Sequence, residues 1–473
     1  MGESRFVLQK AGHELYLVRG TNFMKVSWRL SRQGTKSLLF SFSKKLFKRK
    51  DLGTISPHMF ATKRNAPLAL VLVLLCAAAE SVAQQNHWIG SWATSQQLAE
   101  PKNSLSADDL NDVTLRQIVH LSIGGSELRV HLSNRFGTAP LHFTGVHIAK
   151  AVSAASDKIV AGTDKALAFS GKPDITIPAG ADYISDSTAF SAPALSDLAI
   201  TLHAESLPAE QTGHPGSRAN SYVAHGDSVS APELSNSKKV EHWYFIAGID
   251  VEAPNEAASI VTLGDSITDG HGATTDGNDR WPDVLAKRLE TSNKNKRKLS
   301  VLNHGVGGNR LLNPGLGPNA LARFDHDVLA QAGVKYLIVL EGINDIGTLT
   351  RDSDVSDAEH ETLVRRMRAA YEQIVTRAHT HGIRVIGATI LPFVGGEYYH
   401  PGPKTEADRQ AVNEWIRTPG HFDAVVDLDK VTRDPQHPDR LLPAFDCGDH
   451  LHPSPAGYGA MADAIPVSLF DLK

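Results

Sequence analysis

Four short segments within the last 210 or so residues carry side chains able to cleave an ester. In order, they are Gly264-Asp265-Ser266, Asn303-His304-Gly305-Val306-Gly307-Gly308-Asn309, Gly342-Ile343-Asn344-Asp345 and Asp449-His450-Leu451-His452. The first offers a hydroxyl nucleophile, Ser266, whose own N–H can also face a developing oxyanion. The second offers Gly308, whose missing Cβ lets its amide approach a substrate oxygen closely. The third offers Asn344, a neutral side-chain donor. The fourth spaces Asp449 and His452 three apart, on one face of a turn. His452 can then take the Ser266 proton while Asp449 fixes its tautomer. Each segment alone also reads as something plainer: a helix-capping serine, a glycine-rich turn, an Asx turn, a solvated loop or a metal site. Only the ordered set points to acyl transfer.

Several alternatives are weaker. His450 competes as the base, but its adjacency to Asp449 lets that carboxylate orient it only awkwardly. Spacing offers no third ligand at helical distance from Asp449 and His452, which argues against a metal. Gly264, Gly270 and Gly272 do not make a phosphate loop, because no Gly-Lys-Ser/Thr follows and the dinucleotide spacing fails. Nor is there a Gly-x-Ser-x-Gly elbow, since Thr268 stands at its last position. Asp345 reads as structural.

The elements that must position these groups are legible as a change of pattern. From residue 257 on, strand-like runs at 258–263, 299–303, 335–340, 384–390 and 424–428 alternate with helical stretches at 281–290, 358–381 and 406–417. Such alternation predicts a parallel sheet covered by helices on both faces, with ligands bound at the carboxyl ends of the strands. Three of the four segments begin where a strand ends. Residues 84–250 instead show short runs rich in Val, Ile, Leu, Thr and aromatics, at 117–123, 127–132, 141–149, 198–203 and 242–249, punctuated by Gly, Asn, Asp and Pro. Leu128, Val130 and Leu132 alternate with Arg129 and His131, the period of a half-buried strand. A β-sandwich or jelly-roll-like accessory domain is expected there, with a long loop at 205–227 and a linker at 251–256.

The four segments together resemble the SGNH/GDSL hydrolase family, whose name spells its Ser, Gly, Asn and His. Ser266 matches the Ser of its Gly-Asp-Ser block, here followed by Ile267 in place of Leu. Gly308 lies five residues after the block asparagine, Asn303. Asn344 matches the Gly-x-Asn-Asp block, and Asp449 and His452 match Asp-x-x-His. The resemblance covers residues 257–473. The opening Trp88-Ile89-Gly90-Ser91-Trp92 and the β-rich residues after it are similar to the domain preceding this hydrolase domain in some bacterial members. The resemblance implies a flavodoxin-like three-layer α/β/α domain with no metal or organic cofactor. It further implies hydrolysis of carboxylic esters through an acyl-enzyme. In that chemistry Ser266 attacks, His452 shuttles the proton and Asp449 orients it. The oxyanion is held by the Ser266 and Gly308 amides and the Asn344 side chain.

Composition bounds the partners. The net charge of −4 hides an asymmetry: residues 1–58 hold twelve Lys and Arg against three Asp and Glu, whereas from Gln84 onward 34 basic residues face 48 acidic ones. An acidic body is poorly suited to nonspecific nucleic-acid binding, so no nucleic-acid partner is expected. Residues 59–83 read as an export signal. Lys63 and Arg64 precede an apolar run from Ala66 to Ala79 that is short for a membrane span, and Ser81-Val82-Ala83 forms a small-residue cleavage site. The expectation is translation from Met59, with residues 1–58 lying upstream of it, and a secreted or periplasmic mature chain from Gln84 without a stable membrane span. The chain has two cysteines; Cys76 lies in the apolar run and the other, Cys447, is expected as a buried filler. Trp281 and Phe393, beside strand ends, are candidates for lining an acyl or sugar site, as are Tyr398 and Tyr399. The substrate is expected to be a small-molecule or polysaccharide ester. Acetyl esters of carbohydrate compete with short-chain or lipid esters, and a glycan-binding protein with secondary hydrolase activity is a further reading. Because the base must be neutral, activity is expected to rise through about pH 6–8.

Overall fold

The computed structural model describes strands within residues 7–42, residues 87–292 and residues 298–471. The chain divides into two compact units, Met1–Gln85 and Asn86–Lys473. The first contains a four-stranded antiparallel meander, Val7–Ala11, Glu14–Arg19, Asn22–Leu30 and Lys36–Phe42. The expected signal at 59–83, with Cys76, lies outside the described residues. Among those that are described, no helix is long and apolar enough to cross a membrane.

The second unit holds both of the expected folds. Its β half is a sandwich of two antiparallel sheets. A six-stranded sheet centres on Asn111–His120 and Asp197–Ser206, and a five-stranded sheet on Gly125–Ser133 and Ile246–Glu252. Leu128, Val130 and Leu132 are wholly buried, whereas Arg129 and His131 face outward and bond Asp250 on the neighbouring strand. The stretch expected as a loop at 205–227 carries two strands, Thr212–His214 and Ser221–His225, nearly all buried. Its Gly, Pro and Ser content hid them, because they pair with strands outside the stretch and not with each other. The linker is shorter than expected, since Val251 and Glu252 complete the strand Ile246–Glu252.

The other half has five parallel strands: β1 (Ala258–Gly264), β2 (Leu299–Gly305), β3 (Val334–Leu340), β4 (Arg384–Ala388) and β5 (Ala424–Val426). Their order is β2-β1-β3-β4-β5, the flavodoxin-like arrangement. Every residue of β1 is buried, as befits the centre of a sheet covered on both faces. The flanking helices include α1 (Ser266–Asp269), α2 (Trp281–Thr291), α3 (Ile343–Thr350), α4 (Asp357–Thr380), α5 (Pro403–Arg417) and α6 (Pro455–Asp463). The chain reverses direction across the sheet between β1 and β3, which makes that strand pair the topological switch point where such sheets bind ligands.

Candidate active site

The three central strands deliver the site. β1 ends at Gly264, and Asp265 caps α1 by accepting the Ile267 amide at 2.9 Å, which leaves Ser266 as the first helical residue at the strand end. β2 ends at Gly305 and runs into the Gly307-Gly308 turn. Gly308 has φ +71°, and a Cβ there would meet Leu316 at 2.8 Å. β3 runs into Gly342 and then α3, which carries Asn344 in its first turn. His452 lies just before Pro453 and the Ser454 cap of α6.

These residues, far apart in sequence, converge. Ser266 Oγ lies 2.8 Å from His452 Nε2, and His452 Nδ1 lies 2.6 Å from Asp449 Oδ2. Asp449 also accepts the Leu451 and His452 amides through Oδ1, at 2.9 and 2.8 Å. Burial opposes ionisation of Asp449, but the bond from His452 outweighs it and holds this carboxyl well below the usual range. An Asp–His–Ser relay of this geometry can make the hydroxyl nucleophilic. Among the described residues, the Ser266 and Gly308 amides have no hydrogen-bond partner. Asn344 donates to the Asn309 carbonyl at 2.7 Å, and its Oδ1 accepts the Tyr399 hydroxyl at 2.6 Å. Its amide is thereby oriented with one N–H left for a ligand. Ser266, Gly308, Asn344, Asp449 and His452 all line one cleft of about 1140 Å³.

Other sequence candidates fall elsewhere. Trp281 and Phe393 are completely buried and belong to the hydrophobic core, so neither lines the cleft. Trp281 opens α2, and Phe393 packs edge-on against Tyr399; an aromatic beside a strand end points inward as readily as outward. Tyr398 and Tyr399 do line the cleft, with Tyr398 61% exposed. His450, with φ +59°, turns away to Asp446 at 2.5 Å. Asp345 is structural, accepting the Leu311 and Leu312 amides. Cys447 is exposed rather than a buried filler, because its loop runs over the surface; desolvation and Asp449 push its thiol up to about 11, which leaves it a poor nucleophile.

One residue was not singled out in the sequence. The His271 ring lies 4.1 Å from that of His452, and its Nε2 is 3.7 Å from Asp449 Oδ2. Burial, His452 and Arg218 push His271 down to about 4, so it is neutral and the contact with Asp449 is not an ion pair. The Arg218 guanidinium donates to its Nδ1 at 3.4 Å. Ligand atoms of His271, Asp449 and His452 lie within 4.8 Å of one another, so that His271 adds the third ligand residue that linear spacing could not reveal. Both ring nitrogens of His452 are already engaged by Ser266 and Asp449, which fits a proton relay better than a metal.

Beneath the nucleophile sits a cluster of buried carboxyls. Burial pushes Asp265 up to about 7 and Asp345 up to about 6, and it raises Glu341 well above its ordinary value. Neither Glu341 side-chain oxygen has a hydrogen-bond partner. Arg323 lies 3.7 Å from Glu341 and donates to the Gly264 and His304 carbonyls and to Asn309 Oδ1, tying three strand-end loops together.

Residues 262–460 match the GDSL-like Lipase/Acylhydrolase family. The match covers this part of the chain, the acylhydrolase domain. Together with the relay above, it supports a hydrolase of carboxylic esters. The chain is similar to the structure of a lipolytic protein of the G-D-S-L family from Desulfitobacterium hafniense, at 21% identity, 44% of this chain, 97% of that one and a TM-score of 0.33. It is also similar to a GDSL-like lipase from Bacteroides thetaiotaomicron (17%, 44% and 84%, TM-score 0.32). A third similar structure is an acetyl xylan esterase from Geobacillus stearothermophilus (22%, 44% and 92%, TM-score 0.32). No curated protein sequence matches the chain. The acylhydrolase domain does not build its cleft alone. Gln97, Glu100, Lys102, Asn103, Gly216 and Arg218 of the β-sandwich form one wall of it.

Proposed function

We propose that the protein is an exported serine esterase that removes acetyl groups from carbohydrate through an acyl-enzyme on Ser266. The observation that carries this reading is the Asp449–His452–Ser266 relay, at 2.6 and 2.8 Å, opening on a cleft whose walls are largely charged or amide-bearing. His452 Nε2 takes the Ser266 proton as Oγ adds to the ester carbonyl. The oxyanion forms against the Ser266 and Gly308 amides and the free N–H of Asn344. His452 then protonates the departing alcohol, and water repeats the sequence to release the acid. Asp449 holds the imidazole in the right tautomer throughout. The apolar side chains lining the cleft are few, chiefly Leu316, Leu451, Tyr398 and Tyr399, which suits a short acyl group and a hydrated alcohol. Export rests on the signal-like residues 59–83 and is tested by N-terminal sequencing of secreted protein, with Gln84 expected first.

The deciding assay compares p-nitrophenyl acetate, butyrate and octanoate, and acetate release from acetylated xylan, for the wild type and Ser266→Ala. Serine-dependent preference for acetate and for the acetylated glycan is expected. Preference for octanoate would replace the carbohydrate substrate with lipid, and a Ser266→Ala variant as active as wild type would remove the nucleophile.

A further inference from the structure

The β-sandwich and the acylhydrolase domain meet directly behind the oxyanion turn, through groups that are almost entirely shielded from solvent. His214, on the sandwich strand Thr212–His214, has a side chain 2% exposed. Its Nδ1 faces the Ser95 carbonyl at 2.9 Å, and its Nε2 faces Asp269 Oδ1 at 2.8 Å. Asp269, the last residue of α1 and 4% exposed in its side chain, uses its other oxygen to accept the Gly307 amide at 3.1 Å. Backbone packs closely around this carboxylate. A Cβ at Gly216 would lie 1.9 Å from Asp269 Oδ2, and one at Gly305 would lie 2.1 Å from the Asp269 amide. The sandwich therefore reaches, through one imidazole and one carboxylate, the residue immediately before the oxyanion donor Gly308.

A second connection runs in parallel. Ser95 Oγ donates to Asp327 at 2.7 Å and accepts from Arg323 at 2.9 Å, and Arg323 in turn holds the carbonyl of Gly264, two residues before Ser266. Both connections come from the sandwich and both end at backbone that must be placed for the reaction.

We infer that His214 is a positioning residue for the reaction. Through Asp269 it fixes the Gly307-Gly308 turn, so that the β-sandwich is a working part of the acylhydrolase site and not only an appended module. This rests on the reading of Ser266 as nucleophile and Gly308 as oxyanion donor. A donor must be held in place for the forming oxyanion, and displacing catalytic groups by about 1 Å can cost on the order of a hundredfold. A buried carboxylate deprived of its donor will move or recruit water, and the Gly307 amide moves with it.

The test uses two variants of matched polarity in the full-length protein, with p-nitrophenyl acetate as substrate. His214→Gln places an amide where Nε2 stood and keeps a donor to Asp269. His214→Asn places one where Nδ1 stood and bonds only the Ser95 carbonyl. The expected result is kcat reduced about tenfold or more for His214→Asn, with KM within about twofold, and recovery to within a few-fold of wild type for His214→Gln. A second arm compares Asp269→Asn, which keeps an oxygen for the Gly307 amide, with Asp269→Ala, which does not; only Asp269→Ala should lose kcat. Asn278→Gly serves as the control. It removes the 3.4 Å bond from Asn278 of the hydrolase domain to Asp197 of the sandwich, shares no residue with either connection, suits the positive φ of +48° at that position, and should leave kcat unchanged. Equal kcat for His214→Asn and His214→Gln, or an equal loss in Asn278→Gly, would overturn the relay. Should a His214 variant not fold, the Asp269 pair decides by the same criterion. The underlying reading fails separately, and only, if Ser266→Ala retains activity.

Discussion

The two walls of the cleft are built on different terms. On the acylhydrolase side, each reacting group stands within a few residues of the end of a parallel strand or, for His452, at the entrance to α6, and its partners lie within hydrogen-bonding distance. On the sandwich side, the cleft is met by loops and strand ends carrying Gln97, Glu100, Lys102, Asn103 and Arg218, none of which is bonded to Ser266, Asn344 or His452. One wall holds chemistry in place; the other presents charge to whatever alcohol the ester carries, and reaches the chemistry only from behind. Acceleration should therefore be concentrated in a few residues of one half, and selectivity spread over many of the other.

The sharpest break of this comparison is Ser266→Ala. It should lower kcat for p-nitrophenyl acetate by roughly ten-thousandfold or more with the fold intact, as judged by an unchanged melting temperature. Retained turnover would mean the strand-end wall does not hold the reacting group. Asn344→Ala comes next, with an expected loss of about a hundred- to a thousandfold in kcat, the usual consequence of removing one oxyanion donor. Tyr399→Phe leaves that amide in place but removes the 2.6 Å bond that orients it, so its loss should be smaller, on the order of tenfold, and should fall on kcat rather than KM. Steady-state kinetics on these variants check both.

Arg218→Ala sharpens the comparison from the other wall. Arg218 stands at φ +49°, and its guanidinium meets no carboxylate among the described residues, only the His271 ring. Removing it should raise KM for acetylated xylan a few-fold more than KM for p-nitrophenyl acetate, because only the larger substrate extends along the sandwich wall. An equal change on both substrates, confined to kcat, would place Arg218 with the reacting groups through His271.

The asymmetry between walls also explains what the sequence disclosed. Ser266, Gly308, Asn344, Asp449 and His452 could be found because backbone chemistry ties each to a short local pattern: a strand, a turn, a cap. The parallel sheet was equally legible, since fully buried strands between helices leave continuous apolar runs, and β1 to β4 begin within a residue of where those runs place them. His214 and His271 carry no such pattern. His214 acquires its importance from Asp269, 55 residues away, and His271 from His452, still farther along the chain. The strand bearing His214 is three residues long and lies inside a Gly- and Pro-containing stretch that reads as loop. Trp281 and Phe393 failed in the opposite sense. Their local setting, near or beyond strand ends, admits a cleft, but the direction of each side chain is decided by the core it packs into, for Phe393 with Tyr399 against its edge, which no local pattern encodes.

The smallest expected effect separates the two halves by the pH dependence of stability. In the acylhydrolase half, burial raises Asp265 to about 7 and Asp345 to about 6 from an ordinary value of 3.8. An acid raised on folding contributes stability that is fully present below its unfolded value and is lost as pH rises through the folded one. In the sandwich, burial likewise opposes ionisation of Asp250, but bonds from His131 and Arg129 outweigh it and lower the group. A lowered acid contributes stability above its unfolded value, lost as pH falls through the folded one. Asp265→Asn keeps an oxygen for the Ile267 amide while removing the charge, so its melting temperature should gain on the wild type by a few degrees between pH 5 and pH 8. Asp250→Asn should lose most near neutrality, and the deficit should narrow as pH falls below about 4. Thermal unfolding across pH 3–8 reads both. If the two variants moved together with pH, the buried carboxyls under Ser266 would be held no differently from those of the sandwich, and their crowding would have no bearing on the site above them.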